Sequence, residues 1–154
     1  IIRTSWLYSE FGNNFVITML RLGQERDEIN VINDQIGTPT YATDLANVIL
    51  SIISSKHFFS KNQTTQIYHF SNKGHCSWFD FANEIFKLAN INNKVQVNSI
   101  STEEYLMAAE RPKNSVINNK KIENDFNINA FNWKDSLKKC LLAYGLTNSI
   151  KRNE

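Results

Sequence analysis

Short apolar, β-prone stretches alternate along the chain with longer stretches of helical periodicity, and this alternation restricts the fold to a mixed α/β class. Apolar spacing predicts helices over 14–25, 44–53, 77–89, 119–126 and 133–144, with a short one opening at 101. Strands or extended segments are predicted over 1–8, 28–33, 66–70, 94–100 and 114–118. The 154 residues suit one domain, with 148–154 as a tail.

The five glycines are too far apart to form a phosphate-binding loop. They stand at positions 12, 23, 37, 74 and 145, which excludes both G-x-G-x-x-G and a P-loop. A hydride-transfer site of the short-chain type also needs a tyrosine followed four residues later by a lysine, whose charge lowers the tyrosine pKa. None of the five tyrosines has that lysine. The sequence therefore contains neither a glycine-rich phosphate-binding loop nor a Tyr-x-x-x-Lys pair.

Charge and side-chain chemistry exclude further classes of function. A formal net charge of +2 gives no electrostatic indication of nucleic acid or an anionic membrane as partner. No apolar run approaches the ~20 residues of a membrane helix. Metal-ligand spacing is missing apart from the adjacent pair His75 and Cys76. Cys76 and Cys140 are predicted to be small buried hydrophobic residues, and two cysteines favour a reducing cytoplasm.

Four segments have an unusual composition, which indicates a role beyond packing in the hydrophobic core. They read RTSWLY at 3–8, DQIGTPTY at 34–41, SWFDFA at 77–82 and RPKNS at 111–115. In this order and at these separations they resemble the C-terminal half of the dTDP-4-dehydrorhamnose reductase family, within the extended short-chain dehydrogenase/reductase superfamily. Each motif alone is common, but the ordered set is specific. The resemblance runs from Ile2 to about Leu146.

The resemblance implies an oxidoreductase of dTDP-rhamnose biosynthesis, a cytoplasmic step towards lipopolysaccharide or cell-wall polysaccharide. The family uses NAD(P)H to reduce dTDP-4-dehydro-6-deoxy-L-mannose to dTDP-L-rhamnose. Its N-terminal Rossmann half holds the glycine-rich loop, the Tyr-x-x-x-Lys pair and the NADP or NAD. Residues 1–147 would then be the substrate-binding half, with a dTDP-sugar nucleotide and its own Rossmann half as partners. A start at Ile1 instead of Met fits a truncated chain, expected to be inactive alone.

The resemblance also assigns substrate-binding residues. Trp6, at the tryptophan of the family's Arg-Thr-x-Trp, is expected to pack on the deoxysugar, whose methyl and C–H groups suit an indole face. Arg111, in Arg-Pro-x-Asn-Ser, is expected to pair with pyrophosphate oxygens through its guanidinium fork. The other assigned residues are Gln35, Gly37, Thr38, Thr40, Asn114 and Ser115.

Each assignment has a structural alternative. Trp6 could be an ordinary core tryptophan, and the segment 35–40 could be only a turn leading into a helix. Arg111 could form a surface salt bridge with Glu103, Glu104 or Glu110. Phe15 could shape a nucleotide pocket or simply pack in the core. Trp78 and Trp133 are interpreted as packing residues.

One position departs from the family. Some members bridge a dimer through Mg²⁺ held by a glutamate just after the Pro-Thr motif, where this chain has Thr43. Mg²⁺ is therefore doubtful, a homodimer stays open, and Asp44 is interpreted as a helix cap. Two other functions also stay open: a non-catalytic binding or regulatory subunit, and a sibling sugar-nucleotide reductase or epimerase. Without the Rossmann half, apolar surface at Ile1, Ile2 and Trp6 should be exposed to solvent. Isolated copies of this chain should then associate with one another.

Overall fold

Short strands alternate with helices throughout the computed structural model, which describes residues 1–56, 58, 64–105 and 111–146. The helices are α1 Phe15–Glu25, α2 Ala42–Ile53, α3 Trp78–Leu88, α4 Lys120–Phe126 and α5 Trp133–Ala143. The strands are β1 Ile2–Arg3, β2 Leu7–Tyr8, β3 Glu28–Ile32, β4 Ile36–Gly37, β5 Thr40–Tyr41, β6 Tyr68–His69, β7 Cys76–Ser77, β8 Gln96–Ile100 and β9 Asn114–Ser115. The predicted α/β class is confirmed.

The strands pair over long distances in sequence and form several small sheets. β1 pairs with β6, β2 with β5 and β3 with β8, all in parallel. β4 lies between β7, which is antiparallel to it, and β9, which is parallel to it. This last sheet brings the segments around Gly37, Ser77 and Ser115 side by side.

The main core lies where α1, α3 and α5 pack together with β3. Its centre is α3, whose Phe81, Ile85 and Phe86 are fully buried against Leu137 and Leu141 of α5. α3 begins with a capping box in which Ser77 and Asp80 bond each other's backbone N–H groups. This cap fixes Trp78 as the first residue of the helix. No helix among the described residues is long and apolar enough to cross a membrane.

Three local predictions were wrong. The stretch that opens at Ser101 forms a turn over its described residues, although Glu104 accepts a hydrogen bond from the Ser101 N–H at 2.6 Å, as in the capping box of a helix. The predicted strand 1–8 is broken because Trp6 has a φ of 47°. α2 begins after Tyr41, and Asp44 does not cap it. The predicted tail, 148–154, lies outside the described residues.

Candidate functional site

A cleft of about 690 Å³ runs along β3. All five β3 residues line it, which places the cleft along an edge of the strand, since successive side chains point to opposite faces. Within the described chain β3 pairs with β8 alone, so its second edge offers unpaired backbone donors and acceptors. α1 forms the opposite wall with Phe15, Thr18, Met19 and Leu22.

Two guanidinium groups give the cleft its charge. Arg111 lines it as the sequence predicted, and Arg26, which follows α1, lines it as well. Both are exposed, and none of the ion pairs between described residues uses either. The predicted alternative, a salt bridge from Arg111 to Glu103 or Glu104, does not form. Glu110 lies outside the described residues.

The carboxylate that lines the cleft, Glu28, accepts a hydrogen bond from the Asn98 amide at 3.1 Å. Among the described residues, two guanidinium groups and one carboxylate therefore line the cleft. Guanidinium groups that form no ion pair with the described residues, in an open cleft, suit an anionic ligand that can accept bidentate hydrogen bonds, such as a phosphate or diphosphate.

Aromatic rings form part of the lining of the cleft. Phe15, Trp78 and Tyr105 line it, and the Phe15 and Trp78 rings lie 4.6 Å apart between centroids. Trp78 thus faces the cleft, although the sequence indicated only a packing role. Flat apolar rings beside guanidinium groups can bind a ligand that carries both a planar or apolar part and a phosphate.

Trp6, Gly37 and Ser115 come together next to this aromatic wall. The Trp6 ring stacks on Trp78 with centroids 3.5 Å apart and planes 10° from parallel. A Cβ on Gly37 would lie 2.3 Å from Cε2 of Trp6 and 2.6 Å from Oγ of Ser115. Gly37 is therefore required for close approach of an indole and a hydroxyl, rather than for an unusual backbone conformation.

The other predicted residues of the 35–40 segment use their side chains inside the protein. Gln35 is 3% exposed, and its Nε2 donates to Oγ1 of Thr102 at 3.1 Å. The Thr38 hydroxyl donates to the carbonyl of Gly74 at 2.8 Å. The Thr40 hydroxyl is buried and has no hydrogen-bond partner in the described chain. These contacts favour the turn interpretation for Gln35 and Thr38.

Asn114 lies at the exposed edge of β9. Its side-chain oxygen accepts from the N–H of Val116 at 3.0 Å, which is a local turn contact. Its neighbour Ser115 donates to the carbonyl of Ile36 at 3.2 Å. Both residues therefore help to set the course of the segment that follows Arg111.

A buried polar network holds α2, α5 and the chain after β6 together. Asn72 donates to Asp44 at 2.7 Å and to Ser136 at 3.0 Å, and it accepts from the N–H of Tyr41 at 2.8 Å. The Ser136 hydroxyl also donates to Asp44. Asp44 is 7% exposed, so its carboxylate depends on these donors. The network fixes β5, and with it the end of the 34–41 motif.

The two thiols are buried and unreactive. Cys76 and Cys140 are both free, and burial raises the pKa of each to about 12. Both therefore stay protonated at neutral pH and lack the thiolate that nucleophilic or metal-binding cysteines need. The prediction of two small buried hydrophobic residues is confirmed. Among the described residues, no group of three or more His, Cys, Asp or Glu is placed to hold a metal ion.

Asp34 joins the segment after β3 to the turn that follows β8. Its carboxylate accepts from the Thr102 hydroxyl at 2.6 Å and from the Thr102 N–H at 2.9 Å. The side-chain bond from Thr102 is the main cause that lowers the Asp34 pKa below its ordinary value. Stability from this pair is thus present at neutral pH and is lost as the pH falls through the lowered pKa.

We expect Thr102→Val to raise the pKa of Asp34 towards the ordinary aspartate range, because the hydroxyl that stabilises the carboxylate is gone. An NMR pH titration of the Asp34 carboxyl measures this directly. Thr64→Val, at an exposed position away from Asp34, is the control. An unchanged Asp34 pKa in Thr102→Val would contradict the assignment.

The mixed α/β fold, with its cleft lined by arginine and aromatic residues, resembles that of extended short-chain reductases. The chain belongs to the family of the RmlD substrate binding domain, whose model matches residues 1–145.

Named relatives agree with this assignment. The chain is 43% identical to a dTDP-4-dehydrorhamnose reductase from Aggregatibacter actinomycetemcomitans, over 90% of this chain and 48% of that protein. It is 39% identical to a spore coat polysaccharide biosynthesis protein from Bacillus subtilis, over 92% and 46%. A dTDP-4-dehydrorhamnose reductase from Bacillus anthracis, solved with NADP, superposes with a TM-score of 0.81 at 43% identity, over 93% and 47%. The chain spans about half the length of the curated relatives that it matches.

Proposed function

We propose that this chain is the substrate-binding half of an NADP-dependent dTDP-4-dehydrorhamnose reductase, covering residues 1–147. The whole protein would reduce the 4-keto group of dTDP-4-dehydro-6-deoxy-L-mannose to give dTDP-L-rhamnose. The observation that carries the proposal is the cleft along β3, where Arg26 and Arg111 lie beside aromatic rings and pair with no carboxylate of the described residues. The names of the relatives support the choice of sugar nucleotide.

In this cleft each part of the ligand has a chemical counterpart. Arg26 and Arg111 would pair with the diphosphate oxygens. The second edge of β3, which no described strand pairs with, would hydrogen-bond the base through backbone N–H and C=O groups. The rings of Phe15 and Trp78 would cover an apolar face of the base or the sugar. This chain would thus bind and orient the sugar nucleotide.

The five glycines are too far apart to form the glycine-rich loop that holds a dinucleotide phosphate, so we derive no hydride step from this chain. We assign the cofactor and the proton donor to a Rossmann half. The NADP in the Bacillus anthracis structure supports this cofactor class for the family.

Exposed apolar residues indicate where such a half would pack. Ile49, Leu50 and Ile53 of α2 are 38%, 62% and 43% exposed, and β1 pairs with β6 on one edge only within the described chain. Relatives of about twice this length supply a second half that could cover this face.

Ile1 is 68% exposed, as expected, but Ile2 and Trp6 are half-buried. Self-association of the isolated chain, a homodimer included, stays a prediction for light scattering.

The cellular setting belongs to the same proposal. A cytoplasmic reductase that makes dTDP-L-rhamnose would feed the synthesis of cell-wall polysaccharide or lipopolysaccharide. The spore coat polysaccharide protein among the relatives supports a surface-polysaccharide role.

Thermal shift with two sugar nucleotides tests the proposed ligand. We expect dTDP-L-rhamnose to raise the melting temperature of the chain, and UDP-glucose at the same concentration to raise it less, because a ligand that binds the folded state stabilises it. Equal shifts would point instead to a sibling enzyme with another nucleotide.

The chain mixed with NADPH and the keto sugar should show no NADPH oxidation. Turnover by the chain alone would contradict the assignment of the cofactor and the proton donor to the Rossmann half.

Arg111→Met should weaken binding of dTDP by about 10- to 100-fold, because a charge-assisted hydrogen bond contributes about 1.5–3 kcal/mol. Isothermal calorimetry measures the affinity. Arg21→Met is the matched control, since Arg21 is exposed, pairs with Glu25 at 2.8 Å and does not line the cleft. Both variants should melt like the unchanged chain. Equal affinity of Arg111→Met and the unchanged chain would remove Arg111 from the site.

A further inference from the structure

Asp34 holds the start of the segment that brings Arg111 to the cleft. One oxygen of its carboxylate, Oδ1, accepts from the N–H of Thr102 at 2.9 Å and from the Thr102 hydroxyl at 2.6 Å. The same hydroxyl accepts a hydrogen bond from Nε2 of Gln35 at 3.1 Å. Because the hydroxyl is engaged both as donor and as acceptor, its orientation is set, and with it the turn that follows β8.

The end of that segment is held two residues further along the chain from Asp34. The Ile36 N–H donates to the carbonyl of Lys113 at 2.8 Å, directly before the point where Ile36 pairs with Asn114 in the sheet of β4 and β9. The Lys113 ammonium lies 4.0 Å from the Asp34 carboxylate, but its side chain is 72% exposed, and an exposed pair of this kind contributes little. The backbone bond therefore sets this end of the segment.

Two residues that line the cleft stand between these held points. Tyr105 follows Thr102 by three residues, and Arg111 precedes Lys113 by two. No ion pair between described residues uses the Arg111 guanidinium. The place of Arg111 in the cleft therefore depends on the course of the backbone, which the bonds at Thr102 and Lys113 direct.

We propose that Asp34 is a positioning residue for the sugar nucleotide, which acts through Thr102 on the segment that carries Arg111 into the cleft. The inference rests on the proposed function. Asp34 does not line the cleft, and its negative charge by itself disfavours a diphosphate nearby. The two effects of Asp34 thus have opposite signs: its charge opposes binding, and its hydrogen bonds to Thr102 favour it.

Two substitutions of Asp34 separate these effects. Asp34→Ala should weaken binding of dTDP-L-rhamnose by about 3- to 10-fold, because both Thr102 donors lose their acceptor. Asp34→Asn should recover most of the affinity, because both bonds go to one oxygen atom and the amide oxygen can take its place. An effect of charge alone predicts a different result, in which both variants bind the diphosphate equally well and no more weakly than the unchanged chain. Isothermal calorimetry measures the affinities.

A double-mutant cycle tests whether Asp34 acts through Arg111. In the Arg111→Met background, Asp34→Ala should have little further effect on the affinity, because the group that it positions is already gone. Asp27→Ala is the control for lost charge, since Asp27 is exposed and stands next to Glu28 but does not line the cleft. It should not weaken binding.

Thr102 supplies a second, milder test from the other side of the contact. Thr102→Val removes the hydroxyl and should weaken binding, whereas Thr102→Ser keeps it and should bind like the unchanged chain. Equal affinities of Asp34→Ala and Asp34→Asn would overturn this inference alone, as would normal binding by Thr102→Val or a full loss from Asp34→Ala in the Arg111→Met background. If the unchanged chain did not bind dTDP-L-rhamnose, the proposed function would be wrong, and this inference with it.

Discussion

Replacing Asn72 by alanine is expected to lower the free energy of unfolding by about 3 kcal/mol or more. Asn72 is 1% exposed and makes side-chain hydrogen bonds to Asp44, Ser136 and the N–H of Tyr41. Its removal leaves a buried carboxylate short of a donor and a buried N–H without its acceptor. The loss is large because the groups left behind cannot reach water, and it should appear as a lower midpoint in urea at an unchanged m-value.

Asn83→Ala is the matched control for this experiment. Asn83 lies exposed on α3, where its amide donates to the carbonyl of Phe79 at 2.9 Å. Its removal should change the free energy of unfolding by no more than about 0.5 kcal/mol, as is usual for surface positions. If Asn72→Ala lowered the free energy of unfolding as little as Asn83→Ala does, the hydrogen bonds of the buried network would not stabilise the fold as proposed.

Gly37→Ala is expected to destabilise the chain by about 1–3 kcal/mol and to weaken nucleotide binding, because the new methyl overpacks a filled space. The methyl would lie 2.3 Å from the Trp6 ring and 2.6 Å from the Ser115 hydroxyl, so Trp6 must move off Trp78 or β4 must move away from β9. Chemical denaturation measures the first effect, and calorimetry with dTDP measures the second.

A second substitution tests the cause. In Gly37→Ala combined with Trp6→Leu, the smaller side chain no longer meets the new methyl, so the loss due to the methyl should shrink. If Gly37→Ala were equally costly with and without the indole at position 6, the glycine would be required for another reason, and the close approach would not explain it.

The helices were largely predictable because their signals are local. α1, α3 and α5 each bury one apolar face, and the spacing of their apolar residues gave their positions nearly to the residue. The bond from Ser101 to Glu104 was also local, but it formed without the predicted helix. Asp44 looked like a cap from its position, whereas its true partners, Asn72 and Ser136, are distant in sequence.

The strands were less predictable because two-residue strands are defined by their partners. β4 exists as a strand because β7 and β9 reach it from distant parts of the chain. The same long-range pairing assembles Trp6, Gly37 and Ser115, which the sequence could group only through an ordered set of motifs.

The lining of the cleft was predicted in part. Arg111 lines the cleft, and its motif had already singled it out. Arg26 was not predicted, because one arginine after a helix carries no local signal of a cleft. Trp78 was predicted only to pack, because at the start of an amphipathic helix a tryptophan in the core and a tryptophan that lines a cleft have the same sequence pattern. Gln35 and Thr38 had suitable chemistry for a ligand, but their hydrogen bonds are made inside the protein.

The central claim, that the cleft along β3 binds a dTDP-sugar, is tested most directly by following backbone amide chemical shifts while dTDP-L-rhamnose is added to the isotope-labelled chain. The account predicts saturable shifts of the amides of β3 Glu28–Ile32 and of the indole N–H of Trp78, with α4 Lys120–Phe126 unaffected. Saturable shifts confined to α4 and its surroundings, or no saturable shifts at all, would contradict it.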